Sequence, residues 1–115
     1  MQQTSIINKN WGYEEVLELN DKYCLKRLFM KKGHKCSLQY HNSKLETFIV
    51  VEGRLRVYLD SMDNFQDFLP GQFLTIPVGK VHRMEALEDS FYLEASTPHM
   101  TAVVRLEDDY GRAEV

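Results

Sequence analysis

Two cysteines, three prolines, six glycines and one tryptophan are all that 115 residues supply of these types, and the absences narrow the possibilities first. Cys24 and Cys36 are able to pair in principle. With no secretion signal they read instead as reduced thiols of a cytoplasmic protein. The chain opens Met1-Gln2-Gln3-Thr4, without a basic stretch followed by an apolar one, so no signal peptide is expected. Its apolar runs last only a few residues, far below the ~18 that cross a bilayer. An excess of one charge is also missing: 14 Lys and Arg stand among 17 Asp and Glu, for a formal net charge of −3. That balance offers no electrostatic footprint for nucleic acid or for an anionic membrane. No stretch of a dozen residues keeps a helical apolar period, and no repeat, low-complexity tract or linker appears. The length suits a single domain, 1–115, with one hydrophobic core.

What is present is strand signal. Short runs rich in Val, Ile, Phe, Tyr and Leu predict strands near 14–19, 23–30, 38–41, 47–51 and 54–59. Further ones are predicted near 67–69, 73–76, 81–87, 91–95 and 103–106. Turn residues punctuate them at Lys32-Gly33, Glu52-Gly53, Pro70-Gly71, Pro77-Val78-Gly79 and Glu88-Asp89. Glu52-Gly53 reads as a tight hairpin turn, because Gly adopts the positive φ such turns need. About ten short strands in so small an all-β domain imply a sandwich or a closed barrel, since open edges invite aggregation. A jelly-roll barrel is the natural expectation.

One stretch carries chemistry: "CSLQYHNSKLETFIVVEG", from Cys36 to Gly53. Gln39 and His41 are two apart, so on a strand they share a face. Glu46 follows a short turn that brings it back beside them. His82, after the rigid Pro77-Val78-Gly79 turn, is the fourth candidate. Imidazole nitrogens, a carboxylate and an amide oxygen suit a borderline divalent ion such as Zn, Mn, Fe, Co or Ni. Three or four protein ligands leave positions open for substrate.

The frame around these residues resembles a known pattern. Gly33, Gln39, His41, Glu46 and Gly53 (33–53), then Gly71, Pro77, Gly79 and His82 (71–86), reproduce the spacing of the two cupin motifs. Gln39 stands where the general pattern has His, and Ala86 where it often has Asn. "SLQYHNSKLETFIVVEGRLRV" resembles the Ser-Leu-Gln-x-His block of the cupin-type (type II) mannose-6-phosphate isomerases. These occur alone or as the C-terminal part of mannose-1-phosphate guanylyltransferases. "WGYEEVLE", "CLKRLFMKKG", "IPVGKVHRME" and "VVRLEDDYGR" extend the similarity over roughly residues 11–112. Asn42, Ser43 and Lys44 replace a frequent His-His-Arg, and Thr47-Phe48 a frequent His-Trp.

The resemblance implies a jelly roll that binds a divalent metal through Gln39, His41, Glu46 and His82 and isomerises a phosphorylated sugar. An aldose becomes a ketose through a metal-stabilised enediol, the proton moving between C1 and C2. Lys26 and Glu94 are the candidate bases, with Glu85 a third. Arg83, Arg105, Arg112, Arg27 and Lys44 are the cations available to anchor phosphate. His34 and His99, in turn-like contexts, are expected to be exposed rather than ligands, and Trp11 to stack on a sugar or to pack at a barrel end. The alternatives are a sugar-phosphate epimerase, or a non-catalytic sugar- or nucleotide-sugar-binding cupin working beside a separate polysaccharide-biosynthesis enzyme. An oxygen-activating iron cupin is disfavoured, because Gln39 leaves only two imidazoles. A homodimer is expected, with residues 1–10 an arm or extra strand pairing across to a second chain and 103–115 a charged tail.

Overall fold

A computed structural model describes residues 5–98 and 103–111, and all of their regular structure is strand. Eleven strands run in chain order: β1 (Ser5–Lys9), β2 (Gly12–Leu19), β3 (Cys24–Met30), β4 (Leu38–His41), β5 (Glu46–Glu52), β6 (Leu55–Leu59), β7 (Phe65–Phe68), β8 (Phe73–Ile76), β9 (His82–Ala86), β10 (Ser90–Ser96) and β11 (Val103–Glu107). They form a six-stranded sheet, β1-β2-β3-β10-β5-β8, facing a five-stranded one, β11-β4-β9-β6-β7. Every pairing is antiparallel. This is the all-β jelly-roll barrel expected from the strand signals, and ten of its strands overlap the predicted ones.

The eleventh is β1. Ser5–Lys9 does form a strand, but it pairs with β2 of its own chain, from Ser5↔Val16 to Lys9↔Gly12. A tight turn over Asn10 and Trp11 closes this local hairpin at little cost in chain entropy. The outer edge of β1 has no strand beside it among the described residues.

Period-two alternation decides what faces inward. On β3 the inward side chains are Cys24, Lys26, Leu28 and Met30; on β10 they are Ser90, Tyr92, Glu94 and Ser96; on β5, Glu46, Phe48 and Val50. The opposite sheet answers with Leu55 and Val57 of β6, Phe68 of β7, and Met84 and Ala86 of β9. Phe48 is at the centre, edge-on to Phe68 (centroids 5.3 Å) and to Tyr92 (6.4 Å). Each central strand therefore carries apolar side chains toward one end and ionisable ones toward the other. Phe48 gives way to Glu46, Leu28 to Lys26, Tyr92 to Glu94 and Met84 to His82. Lys26 lies directly opposite Glu94, and Ser96 opposite Glu46, so the change falls at one level of the barrel. One half of the interior is a core; the other is a charged cavity.

The β5–β6 hairpin turns on Gly53, whose φ is +91° and whose Cα abuts the backbone at Asp89 and Ser90. Gly71 has a similar φ of +87° but open space around it. Gly71→Ala is therefore expected to cost only the left-handed penalty, about 1 kcal/mol. Gly53→Ala must also displace backbone and is expected to cost about 3 kcal/mol or more. Urea unfolding of both variants checks this; equal costs would show that the close approach at Gly53 is unimportant.

Candidate functional site

The charged half of the barrel encloses a cavity of about 170 Å³. At its base, His41 ends β4, Glu46 begins β5 and His82 begins β9. The Nε2 atoms of His41 and His82 lie 3.5 Å and 3.2 Å from the same Glu46 oxygen, Oε1. One donor atom from each residue falls within 4.8 Å of the others. The spacing of the two sequence motifs thus becomes a compact cluster, because the turns after β4 and before β9 return these strands to one level.

The electrostatics prepare the cluster for a cation. The Nδ1 of His82 faces the Lys80 carbonyl at 2.9 Å, and that oxygen only accepts, so Nδ1 carries the hydrogen. His82 Nε2 is then the ring nitrogen turned toward the Glu46 carboxylate. Burial, reinforced by the nearby Lys44 ammonium, pulls His41 down to about 4, leaving it a neutral imidazole. Burial by itself raises Glu46, but the His82 hydrogen bond and Lys44 outweigh it and hold the carboxyl well below the usual range. Two imidazole nitrogens and an ionised carboxylate converging on one small space fit a borderline divalent cation. Gln39 lines the same cavity, paired with His82 across β4 and β9. Its Oε1 accepts a hydrogen bond from Ser37 Oγ at 2.5 Å.

Above this cluster lies an alternating chain of charges. Lys44 reaches Glu46 Oε2 at 3.4 Å and Glu94 Oε1 at 3.2 Å, and Lys26 reaches Glu14 at 3.2 Å. Burial, with the Glu46 carboxylate as a second cause, pushes Glu94 up to about 7. Burial would lower Lys44, yet its two carboxylate partners win and hold its ammonium charged. Trp11, Leu28, Met84 and Tyr92 supply apolar wall, and the half-buried Cys36 thiol there is pushed up to about 11 by desolvation.

Lys26 and Glu94, the two candidate bases, thus share the cavity with the cluster. Glu85 is elsewhere: it accepts a short hydrogen bond from the Tyr58 hydroxyl. Arg83 is also placed away from the cavity, which corrects its expected role as an anion anchor. Alternation on β9 turns it opposite to His82, where Nε donates to the Cys36 carbonyl and Nη2 to Asp109, both at 2.7 Å. Arg27 pairs with Glu15 on the outer face of the sheet. Arg105 lines the cavity, while Arg112 and His99 lie outside the described residues. His34 is engaged with the Tyr110 hydroxyl at 2.8 Å, and Trp11 packs in the core at the cavity wall. Glu14 and Lys9 were not anticipated. Glu14 had a usable signal, since it shares a face of β2 with Val16, whereas Lys9 had none before β1 was known to form.

A two-sheet antiparallel barrel closed over a His–Glu–His cluster defines the cupin class. More narrowly, residues 1–97 match the family model "mannose-6-phosphate isomerase C-terminal", and the chain belongs to that family. It is 28% identical over 116 residues to a mannose-1-phosphate guanylyltransferase of Escherichia coli, with 92% of this chain and 23% of that protein covered. It is 30% identical over 112 residues to the alginate biosynthesis protein AlgA of Pseudomonas syringae pv. tomato, covering 93% and 23%. The chain thus spans about a quarter of the length of these curated relatives. Among solved structures, an RmlC-like cupin from Shewanella frigidimarina superposes with a TM-score of 0.76 at 19% identity, covering 86% of this chain and 87% of that one. That likeness establishes the fold. No helix among the described residues is long and apolar enough to cross a membrane.

The raised Glu94 carboxyl fixes a sign for the pH dependence of the metal-free protein. Folded, the group titrates at about 7; its ordinary value is 4.5. Between these values the folded chain holds a proton that the unfolded chain has lost, so raising the pH favours unfolding. Glu94 is expected to remove a few kcal/mol of stability, to order of magnitude, as pH rises from about 5 to above about 7. Glu94→Gln should flatten that slope in thermal denaturation with EDTA present; an unchanged slope would refute the assignment.

Proposed function

We propose that this chain is a divalent-metal-dependent sugar-phosphate isomerase that interconverts mannose 6-phosphate and fructose 6-phosphate. The observation that carries this reading is the meeting, in one buried cavity, of the His41–Glu46–His82 cluster with two groups able to move a proton, Lys26 and Glu94. Membership in the isomerase-domain family supports it; the barrel alone does not, because such folds host many chemistries.

His41, Glu46 and His82 would hold the ion, with Gln39 beside them. When bound, the ion supplies a Lewis acid that eases the build-up of negative charge on the sugar's carbonyl oxygen. The chain's own residues supply the rest. Glu94, buried and tuned to about 7, is matched to taking a proton at neutral pH and returning it. In the aldose-to-ketose direction it would take the proton from C2 and deliver it to C1 on the same face, while the hydroxyl proton passes from O2 to O1, so that the enediol closes to the ketose. Lys26, opposite Glu94 on β3, is placed to donate a hydrogen bond to a sugar hydroxyl. The apolar wall of Trp11, Leu28 and Tyr92 limits water at the reacting carbons.

A second reading, a sugar-binding cupin that assists a separate polysaccharide-biosynthesis enzyme, draws on one observation. Lys44 is ion-paired with both Glu46 and Glu94, so the base is occupied in the resting site.

Proton NMR in D2O separates the two. Metal-loaded protein with mannose 6-phosphate or fructose 6-phosphate is expected to place deuterium at C1 or C2; returning the proton to the opposite face at C2 would instead reveal an epimerase. No incorporation from any sugar phosphate, with metal bound, would overturn the isomerase reading. Glu94→Gln is expected to slow exchange by about 10²-fold or more while metal content is kept. His82→Ala is expected to lose the metal, as measured by elemental analysis of the dialysed protein; wild-type metal content in that variant would remove the ligand assignment.

A further inference from the structure

Four cationic side chains line the cavity, and they fall into two pairs. Lys26 and Lys44 are each held by carboxylates within 3.4 Å. Lys9 and Arg105 have no carboxylate partner among the described residues. The Nε of Arg105 is moreover buried without any hydrogen-bond acceptor there. A buried N–H stripped of water and left unpaired is costly, so such a group usually marks a place where something else binds.

Position fits the same conclusion. Arg105 lies opposite Gln39, and Gln39 opposite His82, across β11, β4 and β9. Arg105 is therefore two strand spacings from the metal cluster, roughly 10 Å along the sheet. Lys9 enters the cavity from β1, the edge strand of the other sheet. The balance of charge also points to an anion. Four cations face three carboxylates, Glu14, Glu46 and Glu94, and a divalent ion at the cluster adds to the positive side. Guanidinium presents a planar fork of donors that matches phosphate oxygens, and a nearby ammonium completes the neutralisation of a dianion.

We infer that Arg105 and Lys9 form the subsite for the terminal phosphate of the substrate, holding it at the cavity edge while the carbonyl end reaches His41, Glu46 and His82. This rests on the sugar-phosphate reading above and makes it more specific. An open six-carbon chain separates the two ends by about the distance between the subsites. A sugar lacking phosphate leaves Arg105 Nε unpaired, so the subsite selects phosphorylated sugars over free ones.

Calorimetric titration of metal-loaded protein with fructose 6-phosphate, fructose and inorganic phosphate tests this. The wild type is expected to bind fructose 6-phosphate at least about 30-fold more tightly than fructose. Arg105→Met is expected to remove most of that preference and Lys9→Met about 5-fold of it, both with wild-type metal content. Should Arg105→Met fail to fold, Arg105→Gln serves in its place. A wild type with no preference for the phosphorylated sugar, or an Arg105 variant that keeps the full preference, overturns the inference. The two readings fail separately. Arg105-dependent phosphate binding in a protein that exchanges no deuterium removes the isomerase and keeps the subsite; exchange together with Arg105-independent binding does the reverse.

Discussion

Lys26, Lys44, Glu46 and Glu94 are all less than a tenth exposed, and the rest of the molecule is arranged around making that tolerable. Any one of these charges buried alone would cost several kcal/mol. Together they alternate in sign, and each has an opposite charge within 3.4 Å. Strand register maintains the alternation. Sliding β10 by one residue against β3 or β5 would turn Glu94 outward, expose Tyr92 to solvent and strand Lys44. The apolar half of the barrel resists that slip, because Tyr92 would leave its place in the core against Phe48. Core and site are thus two ends of the same strands and stabilise each other's register.

The opposite face of β9 shows how the frame is reinforced from outside. Arg83 is buried although it points away from the cavity, because the segment after β11 folds over it. Asp109 meets its guanidinium, Tyr110 meets His34, and Lys35 approaches Asp109 at 3.9 Å. A cation on the strand that starts with His82 has become a fastening for the C-terminal segment, which fixes β11 and hence Arg105 at the cavity edge.

Much of this is legible in the sequence itself. Glycine and proline spacing between short apolar runs gave ten strands, and the spacing of Gln39, His41, Glu46 and His82 anticipated residues that the fold brings together. Arg83 is expected as an anchor because it neighbours His82, but strand alternation turns adjacent residues to opposite faces, and the structure follows alternation. Other features were hidden for physical reasons. Lys44 sits in a turn, where no period dictates direction, and only tertiary burial sends it inward between two carboxylates. The pairing of residues 5–9 with β2 rests on a two-residue turn, and without it nothing marks Lys9 as a cavity residue. The partner of Lys26 came from β2, whose moderately buried residues show little polar–apolar contrast along the strand.

The position of β10 has a consequence for how the protein comes into being. This strand, residues 90–96, lies between β3 and β5 in the middle of the larger sheet. As a ribosome releases the chain, β3 and β5 emerge early but cannot share a complete sheet until β10 is inserted between them. The slot must stay open while the 37 residues between β5 and β10, 53–89, and then β10 itself are made. Pairings this distant in sequence form slowly, because a long loop closes before any contact rewards it. Lys26 and Glu46 therefore wait in water, without their common neighbour Glu94, until almost the whole chain is out. Assembly of the charged interior is a late event, and a nascent chain stalled short of β10 would present the unpaired backbone edges of β3 and β5 to whatever is nearby.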